Sequence, residues 1–168
     1  LDGSTRIVRI WDQTIQDGSV PDGFAYGSEY TEEMINQALQ SENPKVIVPS
    51  EDTITHGTFV ASLACGSGNA ESRFLGAAPE STIAMVKLKP AKRYLRDFYA
   101  IAGEAVCYQE NDIMLGIRYL RNLAQRYQMP LVICLAVGTS FGGHNGNNSL
   151  DFMLQIYANS SNQIIVSG

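Results

Sequence analysis

HGTFVASLACG, residues 56–66, opens with a polar, flexible triplet and runs on as an apolar helix. Phe59, Val60, Leu63 and Ala64 recur at the spacing of one helical face, which predicts that this face packs inward. His56 then stands in the first turn, at the positive end of the helix dipole. A general base has to be neutral to accept a proton, and Gly57 keeps bulk away from the ring. The alternative reading is a helix that happens to begin with a histidine. What precedes and follows the stretch decides between them.

Upstream, RIVRIWDQT reads as a short buried strand that delivers Asp12 at its carboxyl end. Ile7, Val8, Ile10 and Trp11 are apolar on both faces, as a central parallel strand requires. Downstream, LVICLAVGTSFGG reads as a second buried strand running into a glycine-rich loop. Between and beyond these, helices are expected over 31–40, 112–127 and 150–158, and strands over 45–48, 82–88 and 164–166. Residues 13–30 read as an exposed loop. Thr31 opens TEEMINQALQ, but Met34 cannot complete a capping box, so Glu32 and Glu33 support the helix through its dipole. The alternation of strand and helix predicts an α/β fold with a mostly parallel sheet covered on both sides. In such sheets chemistry gathers at the carboxyl ends of strands, where Asp12 and Gly138 both fall.

Asp first and His second is the chain order of one type of Ser-His-Asp site, in which the serine comes last. HGTFVA matches the H-G-T-x-V-A signature of subtilisin-like serine proteases (subtilases). FLGAAP followed by TIAMVKLK resembles that family's G-V-A-P segment and next strand. WDQT, VKLKPAK and YQENDIMLGIRYL look most like the clostridial spore-germination (Csp) branch. The resemblance runs over nearly the whole chain and implies a three-layer subtilisin-like fold with helices on both faces of the central sheet. It implies Asp12 and His56 as catalytic acid and base, with Ala136, Val137 and Gly138 forming a wall of the primary specificity pocket. Ala136 departs from the usual Ser of that segment. The interval from Asp12 to His56 is longer than in compact subtilases, and the excess falls in loops.

The same resemblance implies that residues 1–168 are the Asp and His portion of a catalytic domain, truncated before its C-terminal half. The family's oxyanion Asn follows a strand like QIIVSG, and the G-T-S-M-A type segment carries its nucleophile. Ser62, Ser67, Ser140 and Ser149 do not lie in such a context. The expected parent is a serine endopeptidase that processes another spore protein, with the 168-residue piece inactive by itself. The alternative is a catalytically dead homologue acting as a germination regulator. Location is expected to be spore-associated or extracytoplasmic, although no targeting segment is legible.

Composition narrows the classes further. The 168 residues carry 12 Lys and Arg against 17 Asp and Glu, a net charge of −5, which argues against nucleic acid or an anionic membrane as partner. No apolar run approaches a membrane span; the resemblance implies a protein or peptide substrate as partner. A sheet edge left open at 164–166 would favour self-association. The glycine-rich loop lacks either phosphate-binding arrangement, which disfavours a nucleotide-binding domain.

No cofactor is expected. Many subtilases bind calcium in the loop matching 66–72, and Asn69 and Glu71 supply hard oxygens there without a dense carboxylate set. Cys65 and Cys134 read as small buried hydrophobes, and a disulfide framework is not expected. Lys89, Lys92, Arg93 and Arg96 read as a solvated basic face. In compact subtilases this neighbourhood supplies an edge strand that pairs with substrate; if that role is kept, backbone between Ala102 and Tyr108 would serve it. His144 reads as an exposed loop residue.

Overall fold

The computed structural model describes residues 3–68, 74–139 and 145–167, arranged as two units, 1–87 and 88–168. Each unit combines helices with a small sheet, a mixed α/β arrangement.

In the first unit, β1 (Ile7–Asp12) is the middle strand of three. β2 (Ser28–Thr31) pairs with it antiparallel, and β3 (Ile83–Lys87) pairs with it parallel. β2 begins within the segment read as exposed loop and ends at Thr31, read as the start of the helix. What makes it a strand is Trp11. The indole is fully buried, donates through Nε1 to the Tyr26 carbonyl at 3.1 Å, and packs on Phe24 at 4.7 Å between ring centroids. These contacts fold residues 24–27 back over β1 and deliver Ser28 and Tyr30 as buried ladder residues. Gly27 permits the approach: it has φ +80°, and a Cβ there would lie 2.2 Å from the indole nitrogen.

α1 (Glu32–Gln40) follows directly and buries Ile35 and Ala38. Thr31 does cap it, its Oγ1 accepting from the Met34 backbone N–H at 3.4 Å. The cap needs only the threonine oxygen, not the reciprocal Glu or Gln whose absence suggested dipole support alone. The strand expected at Lys45–Val48 is instead a single helical turn, α2 (Pro44–Ile47), because Pro44 at its first position presets the helical φ.

α3 (His56–Cys65) begins and ends as expected, but its apolar face is not buried. Phe59 is 62% and Leu63 46% exposed. Periodicity identified the helix correctly and could not say whether the first unit covers its face. Arg6 ties the end of α3 to the sheet, donating to the carbonyls of Ser81 and Cys65 and to Ser67 Oγ.

The second unit holds α4 (Arg93–Phe98), α5 (Glu110–Tyr127), β4 (Leu131–Leu135), α6 (Ser149–Ala158) and β5 (Gln163–Ser167). β4 and β5 run parallel in register from Leu131↔Gln163 to Leu135↔Ser167. α5 buries Ile117, Tyr119 and Leu123. Arg121 lies 4.5 Å over the Tyr157 ring of α6, and Glu110 accepts from the Leu150 N–H at 2.9 Å. Both links join the two helices.

The basic cluster is not a uniform solvated face. Lys89 pairs with the buried Asp112 at 2.9 Å. Arg96 gathers the carbonyls of Ala102, Gly103 and Ala105, so this segment is bound to its own chain rather than extended for strand addition. Arg93, in an exposed pair with Asp97, fits the solvated reading. The three cysteines are free thiols, and Cys134 is exposed rather than buried, pointing to the open face of β4.

Candidate active site

Asp12 ends β1, and its carboxylate is wholly buried. A buried charge is stable only when hydrogen bonds and countercharge replace its water. Here Oδ1 accepts from the Thr14 backbone N–H at 2.8 Å and from Thr14 Oγ1 at 2.5 Å. Oδ2 accepts from Ser50 Oγ at 2.6 Å and from Lys87 Nζ at 3.1 Å. Burial alone would raise this carboxyl. The bonds from Ser50, Thr14 and Lys87 outweigh it, and Asp12 ends below the ordinary value of 3.8. It is thereby held as a carboxylate in a dry site.

Ser50 starts the loop that leads to His56. Two residues on, the Asp52 carboxylate turns back onto α3. Its Oδ1 accepts from the N–H groups of Ile54 and Thr55, and its Oδ2 from the N–H and Oγ1 of Thr58, both at 2.8 Å. Donation from Thr58, then from Thr55 and Ile54, draws the Asp52 carboxyl below its usual range against a small burial effect. Asp52 serves as the cap of the helix. Thr55, which occupies the N-cap position, makes no side-chain cap and sits at φ +66°. A β-branched residue there is strained. His56 follows at once, exposed at the first position of α3.

The loop is therefore anchored to the candidate acid at Ser50 and to the helix of the candidate base at Asp52. Sequence reasoning found Asp12 and His56 but none of Thr14, Ser50, Asp52 or Lys87. Thr14 is two residues from Asp12, and a short-range Asx-type turn could have flagged it. Ser50 and Lys87 are joined to Asp12 only by the fold.

Ala136, Val137 and Gly138 lie in the second unit, in the loop that leaves β4, with the first two half-buried and Gly138 exposed. Ser62 donates to the Thr58 carbonyl within α3, Ser67 accepts from Arg6, and Ser149 is the first residue of α6. Asn69, Glu71, Ser140 and His144 lie outside the described residues. Among the described residues, no group of three or more His, Cys, Asp or Glu could hold a metal ion. No helix among them is long and apolar enough to cross a membrane.

The model of the subtilase family matches residues 18–167. The chain belongs to the subtilase family. The matched stretch contains His56 and begins after Asp12. Among solved structures the chain is similar to the CspB protease of Clostridium perfringens. That likeness has 30% sequence identity and a TM-score of 0.80, covering 99% of this chain. The chain spans 31% of the length of that protease. No match was found among curated proteins.

Proposed function

We propose that the chain supplies the acid and base of a serine endopeptidase: Asp12 orients His56, and His56 activates a serine hydroxyl. The observation that carries this reading is the state of Asp12, a fully buried carboxylate kept ionised by four hydrogen bonds at the end of a strand. An acid so placed serves as the fixed negative charge against which an imidazole becomes positive.

In the proposed reaction the serine oxygen attacks the scissile carbonyl while its proton passes to the His56 imidazole. The imidazolium, stabilised by Asp12, gives that proton to the leaving amine. An acyl-enzyme remains, and water attacks it with His56 again taking the proton. Backbone of Ala136, Val137 and Gly138 is assigned to the pocket for the residue preceding the cut bond. The nucleophile is proposed to come from a segment of the G-T-S-M-A type, and the chain by itself is proposed to be inactive. Resemblance to the Csp branch favours another spore protein as substrate and a spore or extracytoplasmic location.

Labelling of the full-length parent by a fluorophosphonate tests the reading. Labelling that is lost in His56→Ala supports it. A folded parent that does not label would instead be a regulator lacking catalysis. Peptide hydrolysis by the purified 168-residue chain, abolished by His56→Ala, would refute the proposed inactivity.

A further inference from the structure

Lys87 is the last residue of β3 and stands directly across the parallel ladder from Asp12. One residue further, Gln13 N–H donates to the Lys87 carbonyl at 3.0 Å, so the lysine backbone is clamped beside the acid. Its ammonium reaches Asp12 Oδ2 at 3.1 Å and lies 3.4 Å from Thr14 Oγ1, the hydroxyl that itself donates to Oδ1. The lysine side chain is 34% exposed and the carboxylate 0%. The cation thus keeps part of its hydration while offsetting a charge that has none.

We propose that Lys87 is a positioning residue for Asp12: with Ser50 it fixes the carboxylate's rotamer and keeps it charged before any imidazole engages it. The inference rests on the reading of Asp12 as the acid of the proposed relay. Three hydrogen bonds from neutral donors orient the carboxylate, but they carry no net charge. Lys87 supplies the opposite charge that a desolvated anion needs. Another titratable group is Tyr30 on β2, whose phenol is pushed up by burial, against a hydrogen bond with Ser28, and further by the charges of Asp12 and Asp17. A tyrosinate there would act against an ionised Asp12, so Tyr30 does not replace the lysine.

The test is carboxyl-carbon NMR titration of Asp12 in the 168-residue chain and in Lys87→Met, Lys87→Arg and Lys87→Gln. The methionine variant is expected to shift the Asp12 midpoint upward, and the arginine variant to hold it near the wild type, since one point contact needs charge rather than a particular fork. Where methionine prevents folding, glutamine keeps a donor near Oδ2 without charge and is expected to give the same upward shift. An unchanged midpoint in the neutral variants, or an arginine variant that behaves like them, overturns the proposal.

A second signal separates this from the underlying reading. An imidazole Nδ1–H held by a carboxylate resonates far downfield, and Asp12→Asn is expected to move the His56 signal out of that region. A His56 signal indifferent to Asp12→Asn overturns the relay reading, and the role of Lys87 falls with it. A responsive signal alongside an Asp12 midpoint that ignores Lys87 overturns the lysine proposal alone.

Discussion

Asp52 receives Thr58 twice, through its backbone N–H and through its hydroxyl, both at 2.8 Å on the same oxygen. The helix that starts at His56 is thus capped by a residue four positions upstream of its first turn. Asp52→Ala is expected to cost about 1 kcal/mol, the usual worth of a cap. Amide exchange should accelerate at residues 56–59 and stay unchanged in α1. Equal exchange in both helices would mean that the cap is not what starts α3.

Thr55 tests the strain beside the same histidine. With φ +66°, it occupies backbone that a β-branched residue avoids. Thr55→Gly removes the steric conflict and is expected to raise stability by roughly 1 kcal/mol in urea denaturation. A loss of stability would show that the threonine side chain contributes more than its backbone costs.

Asp12 predicts a pH dependence. Its folded carboxyl lies below the ordinary 3.8, so the ionised form favours the folded state. That contribution is complete above the unfolded value and is lost as pH falls from there through the folded value. Asp12→Asn has no such titration. Between about pH 5 and about pH 3 its melting temperature should fall less than that of the wild type. Parallel slopes would place the acid sensitivity elsewhere.

Much of this was legible from periodicity and punctuation. β1, α1, α3, β3, α5, β4, α6 and β5 all lie where apolar spacing placed them. The misses have separate causes. β2 is four residues long and became a strand because Trp11, whose ladder partner is Glu29, buries its indole and donates to the Tyr26 carbonyl. Pro44 redirected 44–47 into a helical turn. α4 was hidden in a charge cluster, since Lys89 and Arg96 look solvated until Asp112 and the 102–105 carbonyls are in place. For the candidate site, type and order of residues exposed Asp12 and His56. Ser50 and Lys87 are ordinary residues that acquire meaning only by proximity, which no local pattern encodes.

Among the described glycines, Gly27 is the one at which an added Cβ would come nearest a neighbouring atom. An added Cβ would meet the Trp11 indole nitrogen at 2.2 Å and the Asp12 carbonyl at 2.9 Å, on a backbone that already has φ +80°. Gly27→Ala is expected to destabilise the first unit by roughly 3 kcal/mol, read by the urea midpoint and by loss of buried-tryptophan fluorescence. A near-neutral result would mean that residues 24–27 can move away from Trp11 without disturbing the strand.

Arg96 organises a whole loop from one side chain. Arg96→Ala is expected to raise amide exchange across residues 101–107 and to cost about 1 kcal/mol globally, as its acceptors return to water. Unaltered exchange there would assign the loop's conformation to its own turns.

β1 has one partner close in sequence and one distant. On the ribosome, β2 emerges soon after β1, whereas the ammonium that completes the Asp12 cluster is encoded 75 residues later, on the order of several seconds of translation. Throughout that interval the nascent hairpin keeps one flank unclaimed and its carboxylate wet. A chaperone would find its most productive moment there, before the third strand arrives.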